Sequence, residues 1–204
     1  MSERVRGTRI VVVVLVAWLL VAFIVGASGR LQGLQPPAPQ LVLVALTVAL
    51  LLTLRFVGPV RHWASVVDVR WLVGPHLTRF VGIYFLVLYD RGELPYAFAV
   101  PGGWGDSIVA TLALLLIATG PPQGSRRLLF LIWNVIGLLD ILFVVVTATR
   151  LALGDVSSMA PLLRLPLSLL PTFVVPIIIA THVWLFTRLI GPRHEPRRRD
   201  PVAG

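Results

Sequence analysis

The chain of 204 residues contains no cysteine. That absence excludes a disulfide framework, a thiolate metal site, a Cys-ligated iron–sulfur cluster and thiol catalysis. Lysine is missing as well, since all 18 basic side chains are arginine. A retinal or pyridoxal Schiff base and a P-loop lysine are thereby excluded. Charge of either sign is scarce, at 13% of residues, about half the roughly 25% of soluble domains. In its place stand apolar residues, 57% of the chain, with a mean hydropathy of +0.89. This composition is wrong for a disordered chain, a coiled coil or an ordinary soluble domain, and it predicts an all-α polytopic membrane protein.

A hydrocarbon layer of roughly 30 Å needs about 20 apolar residues per helix. Six segments meet or approach that length, near residues 10–27, 40–57, 71–89, 104–119, 128–150 and 166–190. Turn signals separate them: Gln35-Pro36-Pro37, Gly58-Pro59, Pro101-Gly102-Gly103, Gly120-Pro121-Pro122 and Gly154-Asp155. The reading is one transmembrane bundle over 1–190. With the N-terminus taken as cytoplasmic, thirteen arginines fall on the inner side: 4, 6, 9, 55, 61, 70, 126, 127, 188, 193, 197, 198 and 199. Four, Arg30, Arg91, Arg150 and Arg164, fall outside, and Arg79 lies mid-span. The bias alternates loop by loop and predicts cytoplasmic N- and C-termini in a cell membrane. It also accounts for the net charge of +9, so no nucleic-acid partner is expected. The apolar run of the first segment exceeds the usual 7–15 residues of a cleaved signal sequence and reads as a retained anchor. Residues 191–204, rich in Pro and Arg, are expected to form a disordered basic cytoplasmic tail. Such a tail either fixes topology as a solvated segment or touches anionic lipid head groups.

Ionisable residues inside a bilayer are costly and mark candidate sites. Arg79 in the third span and Asp140 in the fifth fall at heights differing by roughly 4–5 Å, within reach of an arginine side chain. An Arg79–Asp140 pair would cancel both charges, whether its role is functional or structural. His76, Asn134 and His182 form a second level, roughly 7 Å toward the cytoplasmic side. Two histidines at equal depth on different helices raise haem b as an alternative, with His76 and His182 as axial ligands. No other cofactor and no metal site is expected. The sequence has no His-Glu-x-x-His and no Gly-x-Ser-x-Gly, so no catalytic residue is nominated and an enzyme is not the favoured reading.

The segment from Asp90 to Asp106 is dense in aromatic, charged and glycine residues for a loop. It is expected to be an outer loop carrying Asp90, Glu93, Trp104 and Asp106. In this reading Asp106 caps the fourth helix at its start, and Trp104 anchors the outer interface as Trp71 does the inner one. The Gly102–Gly105 run either packs tightly or lets backbone amides approach a ligand. Prolines 161, 166, 171 and 176 break the last span repeatedly, freeing carbonyls near Leu167 and Thr172 for a partner or ligand.

Several of these residues fall into a recognisable pattern: Gly92-x-Leu94-Pro95, Phe98-Ala99-x-x-Gly102-Gly103-Trp104-Gly105-Asp106, Trp133-Asn134-x-x-Gly137-x-x-Asp140, and Pro171-Thr172-x-x-x-Pro176 followed by His182. Over residues 74–188 the chain resembles a group of uncharacterised bacterial six-helix membrane proteins. The resemblance implies a bacterial inner-membrane location and one polar constellation. It implies no activity, cofactor or partner, and glutamine at the position of His76 in similar sequences weighs against haem ligation. The favoured function is binding or transport of a small solute, proton or lipid through a polar site inside the bundle. A haem b or quinone-linked redox protein and a structural subunit or assembly factor of a membrane complex are the alternatives.

Overall fold

A computed structural model describes residues 3–191, and all of its regular elements are helical, with no strand among the described residues. The basic tail expected over 191–204 lies, beyond Gly191, outside the described residues. The order is α1 (Glu3–Ala27), a short 3-10 turn (Arg30–Gly33), α2 (Ala38–Phe56), α3 (Gly58–Val66), α4 (Val69–Val73), a 3-10 stretch (Gly74–Phe80) and α5 (Val81–Asp90). Then come α6 (Tyr96–Thr119), α7 (Arg126–Gly154), a 3-10 stretch (Val156–Leu163), a π-helical turn (Leu170–Val174) and α8 (Val175–Ile190). Six helical runs are long and apolar enough to cross a membrane: Gly7–Ala27, Ala38–Phe56, Val69–Asp90, Tyr96–Thr119, Arg126–Gly154 and Leu170–Ile190.

The spans differ from the sequence reading at several ends, two of which bear on the site. The fourth span starts at Tyr96 rather than Trp104, because Pro101-Gly102-Gly103 is inside a helix and not a turn. Pro101 sits early in α6 with its ring exposed, where its missing N–H forfeits a single bond to Ala97. The glycines serve packing instead. A Cβ on Gly82 would lie 2.5 Å from the Gly103 carbonyl oxygen, and one on Gly103 would lie 2.7 Å from that of Gly82. Small residues that let two backbones touch are a device of apolar helix pairs. The last span starts at Leu170 rather than Pro166, since Pro171 and Pro176 leave carbonyls without intrahelical partners. Leu170 N–H takes up the Leu167 carbonyl, 2.9 Å away, and the Trp18 indole donates to that of Thr172 at 3.0 Å. The freed groups bind other parts of the same chain.

α1 is apolar on nearly all sides and exposes most of its length, with Val13 66% and Ile24 64% exposed. The second span is as little buried, and buried packing is concentrated in the third to sixth spans. One cluster, around Leu72, Val73, Ala113, Phe130, Trp133 and Leu185, fills the end where α8 terminates. Another, around Phe85, Leu88, Phe98, Val144, Met159 and Leu167, fills the opposite end. Between them lies a polar layer. Several arginines at the α8-terminal end have a local task besides any role in orientation. Arg188 donates to the Val67 carbonyl at 2.6 Å, Arg127 to those of Leu189 and Gly191, and Arg126 to that of Thr119. Each satisfies carbonyls that a helix end leaves free.

Candidate functional site

The polar layer is assembled from the third, fourth, fifth and sixth spans. Gly74–Phe80 is 3-10 rather than α-helical, and at three residues per turn His76 and Arg79 stack on one face, about 6 Å apart along the axis. Pro75 near its start and the Thr78 hydroxyl, which donates to the Pro75 carbonyl at 2.6 Å, shape this stretch. Both His76 and Arg79 are buried, at 0% and 1% exposure. On α7 the i, i+3, i+4 stripe Trp133, Asn134, Gly137, Ile141 and Val144 faces inward, with Asp140 beside it and half-buried.

Arg79 spends one N–H of each guanidinium nitrogen on this layer. Nε donates to Asp106 Oδ1 at 2.6 Å, Nη1 to the Gly137 carbonyl at 2.8 Å, and Nη2 to Asp140 Oδ2. The structure thus brings Arg79 and Asp140 together and adds a second carboxylate. The sequence reading places Asp106 in the outer loop as a helix cap; it is instead buried inside α6, ten residues past Tyr96, and faces Arg79. Trp104 is likewise helical and exposed rather than in a loop. Asp90 and Glu93 remain exposed at the α5–α6 turn and take no part in the layer. Two glycines make room for the arrangement. A Cβ on Gly105 would collide with the Asp140 carboxylate, and one on Gly137 would sit 2.6 Å from His182 Cε1.

The second group is made of uncharged partners. Asn134 clamps His182 twice: its Nδ2 donates to the His182 carbonyl at 3.1 Å and its Oδ1 accepts from Nδ1 at 2.8 Å. His182 therefore carries its proton on Nδ1, by the logic of its partner. The Thr181 hydroxyl donates to the Ile177 carbonyl at 2.8 Å, so its oxygen accepts from His76 Nε2 at 3.1 Å. His76 Nδ1 and His182 Nε2 are left buried without a hydrogen-bond partner. The two rings lie 4.1 Å apart between centroids, with Trp133 against both.

This geometry does not fit the haem alternative. An iron between two imidazoles needs about 2 Å to each nitrogen, with the macrocycle plane between the rings. Rings at 4.1 Å leave no such slot, and the large cavity in the bundle touches neither histidine. Among the described residues no group of three His, Asp or Glu side chains could hold a metal ion.

That cavity, of about 280 Å³, is the feature the sequence did not reveal. Its walls are apolar side chains such as Leu43, Phe85, Val144, Met159 and Val174, drawn from α2, α5, α7, the Val156–Leu163 stretch and the π-helical turn. Arg79 and Asp106 are the charged residues on its lining, joined by Gln40, Thr78 and Thr149. No spacing rule links α2 to the stretch after α7, so only tertiary packing could expose it.

Residues 36–190 match the family model described as "Domain of unknown function (DUF8737)", and the chain belongs to that family. No curated protein and no solved structure matches it.

Proposed function

We propose that this member of the family is a multi-pass membrane protein that binds a lipid-like solute in the cavity inside its bundle, with Arg79 and Asp106 at the polar end. The observation that carries this reading is the cavity itself. A half-open apolar cleft of about 280 Å³ meeting a charged cluster at one place is the form of a small-molecule site. Structural ion pairs that only join helices need no space beside them. Binding or carriage follows from this form. The arginine distribution supports cytoplasmic termini, as in a bacterial inner membrane.

The test is native mass spectrometry of the protein released from its own membrane, with Ala148→Phe as comparison. Ala148 lines the cavity, and the larger side chain fills it. A co-purifying apolar small molecule that is retained by the wild type and lost in the variant is expected. Equal retention by a folded Ala148→Phe protein places the molecule elsewhere and defeats the reading. Orientation is tested on the same chain, because a protein without cysteine accepts single-cysteine labels cleanly. Ser157→Cys should react with an impermeant maleimide from outside intact cells, and Ser125→Cys only after permeabilisation. The reverse pattern inverts the topology.

A further inference from the structure

A cavity lined by an arginine first suggests an anionic head group. The surroundings of Arg79 argue for the opposite sign. Its three nitrogens already donate to Asp106, Gly137 and Asp140. One guanidinium against two carboxylates leaves a formal excess of one negative charge in a buried layer. The other titratable groups facing the layer are His76 on the 3-10 stretch and His182 on α8, and neither offers compensation through its partners. His182 Nε2 is an unpartnered acceptor directed at α7, 2.9 Å from where a Gly137 Cβ would stand. On the cavity side two acceptors are unspent, beside the guanidinium N–H groups of Arg79 that the layer does not use and the Gln40 amide N–H groups. Gln40 Oε1 is buried, has no partner and belongs to the lining. The Thr78 hydroxyl has given its proton to the Pro75 carbonyl, leaving its oxygen free to accept.

Resting on the cavity reading above, we infer that the site selects a monocationic amphiphile, whose chain lies along the apolar wall and whose hydrogen-bond-donating ammonium faces Asp106 and Gln40. An uncompensated charge in a low-dielectric interior is expensive. A ligand of opposite charge removes that cost, whereas a carboxylate or phosphate head would add to it.

The experiment compares three ligands of equal chain length, dodecylammonium, dodecanol and dodecanoate, on the full chain in lipid nanodiscs. Affinity is read by calorimetry for the wild type and for Asp106→Asn. Comparing the two proteins for one ligand cancels that ligand's partition into the bilayer. Asp106→Asn leaves Arg79 balanced by Asp140 alone, so the ammonium-to-carboxylate affinity ratio should fall about tenfold, equivalent to about 1.4 kcal/mol. Gln40→Leu, which leaves the ion cluster intact, should shift the ratio the same way by about threefold and keeps the inference open to refutation if the Asp106 variant does not fold. An unchanged ratio in a folded variant, or a wild type whose ratio rises on Asp106→Asn, overturns the ammonium assignment while leaving the cavity reading intact. Saturable binding of none of the three ligands overturns the cavity reading itself.

Discussion

The bundle interior holds two polar groups side by side, built on opposite plans. Around His76, Asn134 and His182 every hydrogen bond joins uncharged partners, the rings pack against Trp133, and the cavity touches neither histidine. Around Arg79 the partners are formally charged, two acids face one base, and a cavity opens beside them. The first plan locks α7 to α8. The second leaves charge and space unspent, the combination on which the proposed ligand site rests. Burial alone does not separate the two, since His76, His182, Asn134 and Arg79 are all buried to within 1%. The distinction lies in charge balance and free volume.

The sharpest way to break this contrast is Arg79→Ala, which strands two buried carboxylates. Removing one partner of a buried ion pair costs about 3–5 kcal/mol, so the yield of monodisperse protein by size-exclusion chromatography should collapse. Arg79→Gln combined with Asp106→Asn and Asp140→Asn, which removes all three charges, should recover much of it. A triple variant as poor as the single one would show that shape, not charge, governs the cluster. Next in size is Gly137→Ala, which pushes a methyl group to 2.6 Å from His182 Cε1. Overpacking of this kind costs about 1–3 kcal/mol. A lower melting temperature is expected, with partial rescue by His182→Ala; absence of rescue would mean the ring is not what the glycine accommodates.

Smaller again is His76→Gln. The amide keeps a donor for Thr181, so stability should change by about 1 kcal/mol or less, and ligand binding in the cavity should persist. Loss of binding with intact melting would erase the boundary between the two groups. The smallest effect belongs to Asp68, outside the buried layer. It caps α4 and is hydrogen-bonded by the Arg70 side chain and backbone, which hold its carboxyl below the ordinary 3.8. Its contribution is therefore complete above the ordinary value and is lost as pH falls through the lowered one. Near neutrality Asp68→Asn should melt slightly below the wild type, and the difference should shrink only below about pH 4.

Much of the layer can be read along the chain because helical arithmetic is local. Arg79 and Asp140 come within reach from position counting alone, as do His182 and Asn134 at one height. Asp106 could not be placed that way. Its neighbours Gly102, Gly103 and Gly105 carry the residue signature of a turn in water and of close packing in hydrocarbon, and only the partner helix decides between them. The 3-10 geometry of Gly74–Phe80 is similarly invisible, because Pro75 and Thr78 are compatible with an α-helix start as well. The cavity depends on α2 meeting segments more than a hundred residues later, a relation that no periodicity encodes. The arginines at the α8-terminal end were legible as a charge bias but not as caps on Thr119, Val67 and Leu189, since a cap is a contact between helices.

The Gly82–Gly103 crossing has a mechanical side. With carbonyl oxygens seated where side chains would otherwise stand, α5 and α6 cannot roll against each other without driving Leu86 or Asp106 into backbone. The pair behaves as a rigid strut that carries Asp106 and, through the preceding turn, Arg79. The opposite wall is built differently, since α2 meets the π-helical turn there and Pro171 and Pro176 interrupt the hydrogen-bond ladder. The charged cluster is thus fixed to the braced side of the bundle, away from the proline-interrupted wall.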